Sequence, residues 1–329
     1  MLILDEKEIM SFYNMSHCIR DIGSMLKQKA QGSIISPPRT VIESKETNGS
    51  ALYMPNLDTY EKVMSMKAVT IFPDNPSVGK STTQGVLLLS DAEDGTHLAL
   101  LNASYLTRLR TGAISGLATD LLAQRDAQTL LAIGTGGMAF EQVLGVLEVR
   151  PISRIMLFNP TTDKAYAFMQ KLRDFGIDPE IEVEVHTDVN AVVPQAEIIC
   201  CSTRSSTPVF KGEDIRPGTH VNGVGSYLPE MREVDFEFIQ RADKIVIDDF
   251  DGATHEAGEL IHANEQDGWS YSDLHGELMD MVNGKVEGRQ SEEEVTFFKS
   301  VGAAYFDSAA AIGVYKEAKK ENRGTSVEI

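Results

Sequence analysis

Cysteine is scarce in this chain: Cys18, Cys200 and Cys201 are all it has. An odd count, with two of the three adjacent, gives neither a disulfide framework nor the paired spacing of a zinc site. Reduced thiols are therefore expected, in a reducing compartment such as the cytoplasm, with Cys200 and Cys201 buried in a strand. Positive charge is short too. Against 49 acidic residues stand 30 Lys and Arg, a formal net charge of −19. That balance argues against nucleic acid and anionic membranes as partners, since both require a basic face. No apolar run approaches the roughly 20 residues of a membrane span. The opening MLILDEKEIM has no basic region ahead of its apolar residues and turns acidic at once, so no secretion signal is expected. The seven histidines are scattered, and His255 and His262 lack a third ligand at metal spacing, so no metal site is expected.

What is present is ordinary in bulk: 329 residues, 42% hydrophobic and 24% charged. This suits a water-exposed globular chain with room for two domains. One stretch organises the rest, residues 128–142, QTLLAIGTGGMAFEQ. Its apolar run reads as a buried parallel strand, followed by Gly134-Thr135-Gly136-Gly137-Met138-Ala139 and then a helical pattern. This is G-x-G-x-x-A between strand and helix, the dinucleotide-binding turn. Gly134 allows the tight turn, Gly136 lets the backbone approach a pyrophosphate, and Ala139 lets helix and strand pack closely. The N–H groups at the helix start then face the phosphates. The next strand, 152–158, ends at Asn159, where the ribose-contacting residue of a βαβ unit belongs. An acid there selects NAD. Asn159 is neutral, with Thr161 and Thr162 following, so a 2′-phosphate is not repelled and NADP is favoured over NAD. No Arg follows; Lys164 is the nearest cation.

The surrounding pattern fits an α/β chain in which a Rossmann-type doubly wound parallel sheet is inserted in an α+β domain. A strand at 1–4 and a helix after Asp5 open the chain, and strands follow at 51–55, 62–71, 85–90 and 97–101, the last two a hairpin across Asp94-Gly95. Lys67 sits inside a strand, where lysine ordinarily faces solvent. A helix at 102–123 carries Arg108 and Arg110, which a helix ordinarily solvates, and then Gly112, Ala113, Ser115, Gly116 and Ala118, small enough for close backbone packing. From 124 a βα rhythm runs to a strand at 244–247, the mark of an open parallel sheet with helices on both faces. Asp248 and Asp249 end that strand, either at the sheet's ligand edge or, as the preferred reading, in a solvated turn. His220 reads as a satisfied strand residue or a neighbour of the cofactor. An amphipathic helix is expected over 292–321, with Val295, Phe298, Val301, Ala304, Tyr305 and Ser308 on one side and Glu292–Glu294 complementing its dipole. Residues 322–329 read as frayed. The expected domains are 1–120 with 300–329, for substrate binding and dimerisation, and 121–299, a Rossmann domain.

Several ordered blocks resemble the ornithine cyclodeaminase and mu-crystallin family. They are Pro38-Arg39, Met66-Lys67, Leu106-Thr107-x-x-Arg110-Thr111-Gly112-Ala113, Gly134-x-Gly136, Asn222-x-Val224-Gly225-Ser226-Tyr227 with Pro229, Arg232-Glu233 and Asp235, and Phe298-Lys299-Ser300-Val301-Gly302. The resemblance implies a homodimer with a dimerisation domain and a Rossmann domain. It implies that Arg39 and Lys67 grip a substrate carboxylate and act in catalysis, with Arg110 bridging substrate and cofactor and Val301 lining the substrate. It further implies that Thr82, Thr111, Thr203, Val224, Gly225 and Ser300 join Gly134, Gly136, Gly137, Met138, Asn159 and Thr161 in holding NAD or NADP. Ornithine-cyclising members carry an Asp where this chain has Tyr227 and another where it has Asn159. Both departures move it toward members that reduce cyclic ketimines.

The implied substrate is a small imino acid, a carboxylate beside a C=N bond. Arg39, Lys67 and Arg110 supply three cations from separate elements, and Arg suits a bidentate carboxylate contact. Fixing the carboxylate presents one face of the imine carbon to the nicotinamide. Lys67 or a water supplies the proton. The expected reaction is 1-pyrroline-2-carboxylate to L-proline, or 1-piperideine-2-carboxylate to L-pipecolate. Ornithine cyclodeamination, alanine dehydrogenation or opine-like synthesis, and non-catalytic ligand binding remain as alternatives.

Overall fold

In the computed structural model, which describes residues 1–328, apolar alternation in the first hundred residues resolves into strands. In chain order the elements are β1 (Leu2–Leu4), α1 (Glu6–Phe12), α2 (Met15–Lys29), β2 (Ile34–Ile35), β3 (Thr40–Ser44), β4 (Gly49–Asp58), β5 (Val63–Ile71), β6 (Thr83–Asp91), β7 (His97–Asn102) and α3 (Ala103–Leu122). Then follow β8 (Thr129–Ile133), α4 (Ala139–Val149), β9 (Arg154–Phe158), α5 (Thr162–Phe175), β10 (Glu182–His186), α6 (Val189–Val192), β11 (Ile198–Cys201), β12 (His220–Gly223), α7 (Phe236–Arg241) and β13 (Lys244–Ile247). The chain closes with α8 (Phe250–Glu256), α9 (Gly258–Asn264), β14 (Gly276–Glu277), α10 (Leu278–Val282), β15 (Thr296–Lys299), α11 (Ala304–Glu321) and β16 (Thr325–Ser326). Two compact units result: Met1–Arg110 with Ala303–Ile329, and Thr111–Gly302.

The first unit is a sheet of order β16-β1-β7-β6-β5-β4-β2, with β3 also on β4. Helix α11 packs on β4, β5 and β6, and α2 packs on α11. Side chains alternate across a sheet, so register decides which are buried. In β5, Val63, Ser65, Lys67 and Val69 face inward, while Met64 and Met66 are exposed. Lys67, opposite Met54 and Leu87, is thus only 4% exposed, contrary to the ordinary habit of a strand lysine. Aspartate and asparagine start the helices by accepting free N–H groups: Asp5 from Glu8, and Asn14 from His17 in a capping box. The tail is not frayed at 325–326. There β16 pairs antiparallel with β1, and the Val327 N–H donates to Met1 O at 2.9 Å. A two-residue polar strand has no local signature; only the edge it joins defines it.

The second unit is the doubly wound fold the βα rhythm implies. Its eight strands run in the order β10-β9-β8-β11-β12-β15-β13-β14, all parallel. The order of strand succession reverses between β8 and β11, the switch point where such sheets take ligands. Two apolar layers fill its faces, one around Ile133, Ile199, Phe238 and Phe297, the other around Leu130, Phe140, Ile155 and Phe168. The small residues of α3 serve as expected: a Cβ on Gly112 would lie 2.1 Å from Glu141 O, and one on Gly145 would lie 2.1 Å from Gly112 O. The expected helix from 292 is corrected. Residues 296–299 form β15, wholly buried between β12 and β13, and the helix starts at Ala304. Val295, Phe298 and Val301 therefore lie outside it. A central strand buried on both faces has no alternation to betray it, and a four-residue run is absorbed by a neighbouring helical period.

Candidate active site

Within the first unit, two of the three expected cations converge on an acid that no sequence motif marks. Lys67 Nζ lies 2.5 Å from Asp307 Oδ2, and Arg110 Nε lies 3.1 Å from Asp307 Oδ1. The Thr107 hydroxyl reaches the same Oδ1 at 3.5 Å. Asp307 sits in the first turn of α11 and is 1% exposed; Arg110 is 6% exposed, not solvated. Arg39, half-buried in the segment before β3, is close enough to act on Lys67 electrostatically. Burial is the main influence on Lys67 and pulls its pKa down to about 8; Asp307 opposes this, while Arg110 and Arg39 reinforce it. Asp307 is held below the ordinary carboxylate range. Burial pushes it upward, but the Arg110 and Lys67 charges outweigh that. At neutral pH the cluster is therefore two cations on one carboxylate, with a third cation nearby.

Thr82 belongs to another part of the same unit. It is half-buried just before β6, its carbonyl accepting the Phe72 N–H at 2.8 Å. Lys67 stands opposite Leu87 in the register, so Thr82 lies five positions along the strand, roughly 16 Å at the usual rise per residue.

In the second unit the glycine turn has the geometry of a phosphate cradle. Gly134 has φ of 87°, which side chains disfavour, and a Cβ there would lie 2.9 Å from Thr203 Cγ2. Gly136 is exposed, and a Cβ there would meet nothing within 4 Å. Gly137 is exposed beside it, and Met138 precedes the first turn of α4 without a side-chain cap, leaving that helix start open to an anion. The buried hydroxyl oxygens of Thr135 and Ser202, at the ends of β8 and β11, have no partner within the protein. An open glycine, an uncapped helix and two orphaned hydroxyls at the switch point fit a pyrophosphate group. At the end of β9, Asn159 Nδ2 donates to Thr161 O at 2.9 Å, with Thr161 exposed.

Other expected contacts are already engaged in bracing. Glu233 Oε1 accepts the Thr203 N–H at 2.5 Å and its hydroxyl at 2.8 Å, and Oε2 accepts the Gly225 N–H at 2.7 Å. One buried carboxylate thus ties the loops that follow β11 and β12. Val224 donates its N–H to Cys201 O at 3.0 Å, and Thr111 is buried on α3. Lys299, fully buried, pairs with Glu259 at 3.1 Å. Asp248 is a correction: not a solvated turn but fully buried, its Oδ2 accepting the Ser300 hydroxyl at 2.6 Å, Val301 N–H at 3.1 Å and Gly302 N–H at 2.7 Å. The Val301 side chain packs against the core of this unit. His220 is buried between Thr296 and Asn222, and burial, with Arg289 adding to it, lowers its pKa to about 3. It is a satisfied strand residue that stays neutral. His255 and His262 stand in the last turns of α8 and α9.

Comparison with known proteins gives a consistent set. The model of the ornithine cyclodeaminase/mu-crystallin family matches residues 1–322. A Delta(1)-pyrroline-2-carboxylate reductase of Bacillus cereus is 38% identical over 100% of both chains. Among solved structures, the Delta(1)-pyrroline-2-carboxylate reductase of Thermococcus litoralis, in complex with NADH and L-proline, matches with a TM-score of 0.93 at 31% identity, over 99% of this chain and 100% of that one. An archaeal alanine dehydrogenase dimer with bound NAD matches with a TM-score of 0.90 at 30% identity, over 99% and 98%.

Proposed function

The chain belongs to the ornithine cyclodeaminase/mu-crystallin family, and from that premise we propose that it reduces a small cyclic imino acid, 1-pyrroline-2-carboxylate to L-proline, with a nicotinamide dinucleotide. The observation that carries this reading is the buried meeting of Lys67 and Arg110 on Asp307, with Arg39 acting on Lys67. It is a locally cationic site in a chain of net charge −19. Relatives named for this reaction support the choice of acid.

Arg39 and the remaining N–H donors of Arg110 hold the substrate carboxylate, since guanidinium offers a planar fork to that group. Holding it fixes one face of the C=N carbon. The Lys67 ammonium gives the imine nitrogen its proton, which makes the carbon a better hydride acceptor. When bound, a reduced nicotinamide supplies that hydride. The Gly134–Ala139 turn would hold its pyrophosphate, and Glu233 keeps Thr203 and Gly225 in place beside the turn's strand ends. NADH is bound in the solved relative, and the neutral Asn159 would admit NADPH as well. A homodimer is part of the proposal. Tyr53, Met64, Met66 and Val86 make an exposed apolar face on the first unit's sheet, which a second copy would cover.

Steady-state assays of the five- and six-membered imines, alanine and ornithine with each nicotinamide test the reading. The five-membered imine should give the highest kcat/KM, with stoichiometric loss of NADH or NADPH. Ammonia released from ornithine without net NADH consumption would identify a cyclodeaminase instead, and no turnover of either imine would refute the proposal.

A further inference from the structure

Asp307 is the carboxylate that both Lys67 and Arg110 meet, and its position raises a question the reaction alone does not answer. It takes up Lys67 and the Nε of Arg110, both of which a substrate carboxylate would otherwise seek. We infer that Asp307 is a positioning residue which keeps Lys67 charged and aimed as the proton donor, leaving the carboxylate grip to the two arginines. The inference rests on the reductase reading for its chemistry, but its geometry stands apart from it.

An ammonium inside a protein loses most of its hydration and releases its proton unless a counter-charge is supplied. Lys67 is 4% exposed. The groups facing it or its partner come from every element packed there. Arg110 and Thr107 come from α3, Arg39 from the segment before β3, and Asp307 from α11. Cys18, on α2, feels both Arg110 and Asp307 and in turn borders Tyr13 and Asp21. Burial holds the Cys18 thiol and the Tyr13 phenol in their neutral forms, and Tyr13 donates its hydroxyl to Asp21 Oδ2 at 2.8 Å. Both arginines repel a charge on Lys67. Asp307 is thus the acid that counters them, and the ammonium donates to its Oδ2 at 2.5 Å. Asp307 cannot itself be the donor, because the Arg110 and Lys67 charges keep it ionised. The carboxylate also fixes direction: with one N–H on Oδ2, the ammonium has two left for a substrate nitrogen. A Lys67 committed in this way is a proton donor rather than a carboxylate clamp, which separates the roles of the three cations.

The test is the titration of Lys67, followed by NMR in protein carrying ε-13C lysine and assigned with Lys67→Arg. Wild type should titrate near pH 8. Asp307→Asn should lower that midpoint by about 1 unit or more, the usual effect of an opposite charge at this range, and Asp307→Glu should restore most of it. Asp307→Ser serves as the removal variant if the Asn form does not fold. An unmoved midpoint in the folded removal variant overturns the inference, whether or not any imine is reduced. In assays of wild type, kcat/KM for the imine should fall about tenfold per pH unit above 8. In Asp307→Asn that fall should begin at correspondingly lower pH. A merely structural Asp307 would lower activity at every pH and leave the edge where it was. Absence of imine turnover in wild type, with the NMR shift intact, would refute the reductase reading and spare the role of Asp307.

Discussion

Lysine is rarely buried, and a buried lysine held by a carboxylate has a different chemistry from one on a surface. Lys67 shows why, since its register in β5 turns it inward and its pKa falls to about 8 through burial. The sign of the pH effect follows. If Lys67 is the donor as proposed, reduction should proceed below pH 8, where it is charged, and fall away above it, where the proton is lost. Lys67→Met should therefore lower kcat by about 10²-fold or more and leave NADH affinity unchanged by fluorescence titration. Arg39→Ala should instead raise KM for the imino acid, by about 10²-fold at most, because a charge-assisted contact contributes some 1.5–3 kcal/mol. Equal effects of the two substitutions on kcat and KM would contradict the division of roles. Arg39, Lys67 and Arg110 were legible in the sequence through the motifs they sit in. Asp307 was not. An acid beside Ser308 on a helix reads as solvated, and only α11 buried on nearly all sides makes it an internal group.

Elements show where local pattern suffices and where it fails. The glycine turn was readable because its chemistry is local: a positive φ at Gly134 and an uncapped helix start need no distant partner. Gly136→Val should leave the melting temperature within about 3 °C, since a Cβ there meets open space, while weakening NADH binding about 100-fold by occupying the room a pyrophosphate needs. Gly134→Ala should do the opposite first, lowering stability through its φ and its approach to Thr203. Thermal denaturation alongside nucleotide titration separates the two. β15 was missed because its pairing with β12 and β13 comes from residues far away in the chain. The same holds for Asp248, whose Oδ2 accepts from three groups more than 50 residues along. Asn159→Asp, at the end of β9, should shift preference toward NADH by disfavouring a 2′-phosphate, read as the ratio of kcat/KM for the two nucleotides.

At the scale of the molecule, the exposed methionines and Val86 on the first unit's sheet are the feature a lone chain does not explain. Met66→Asp, on that face, should convert a dimer to a monomer by sedimentation; a wild type already monomeric at micromolar concentration would count against the dimer. What most directly tests the whole account is whether the cations serve the substrate's carboxylate. The rate of reduction of 1-pyrroline-2-carboxylate should be compared with that of 1-pyrroline, the same ring without the acid. A kcat/KM greater by about 10²-fold or more for the acid is the predicted result; similar values for the two would contradict it.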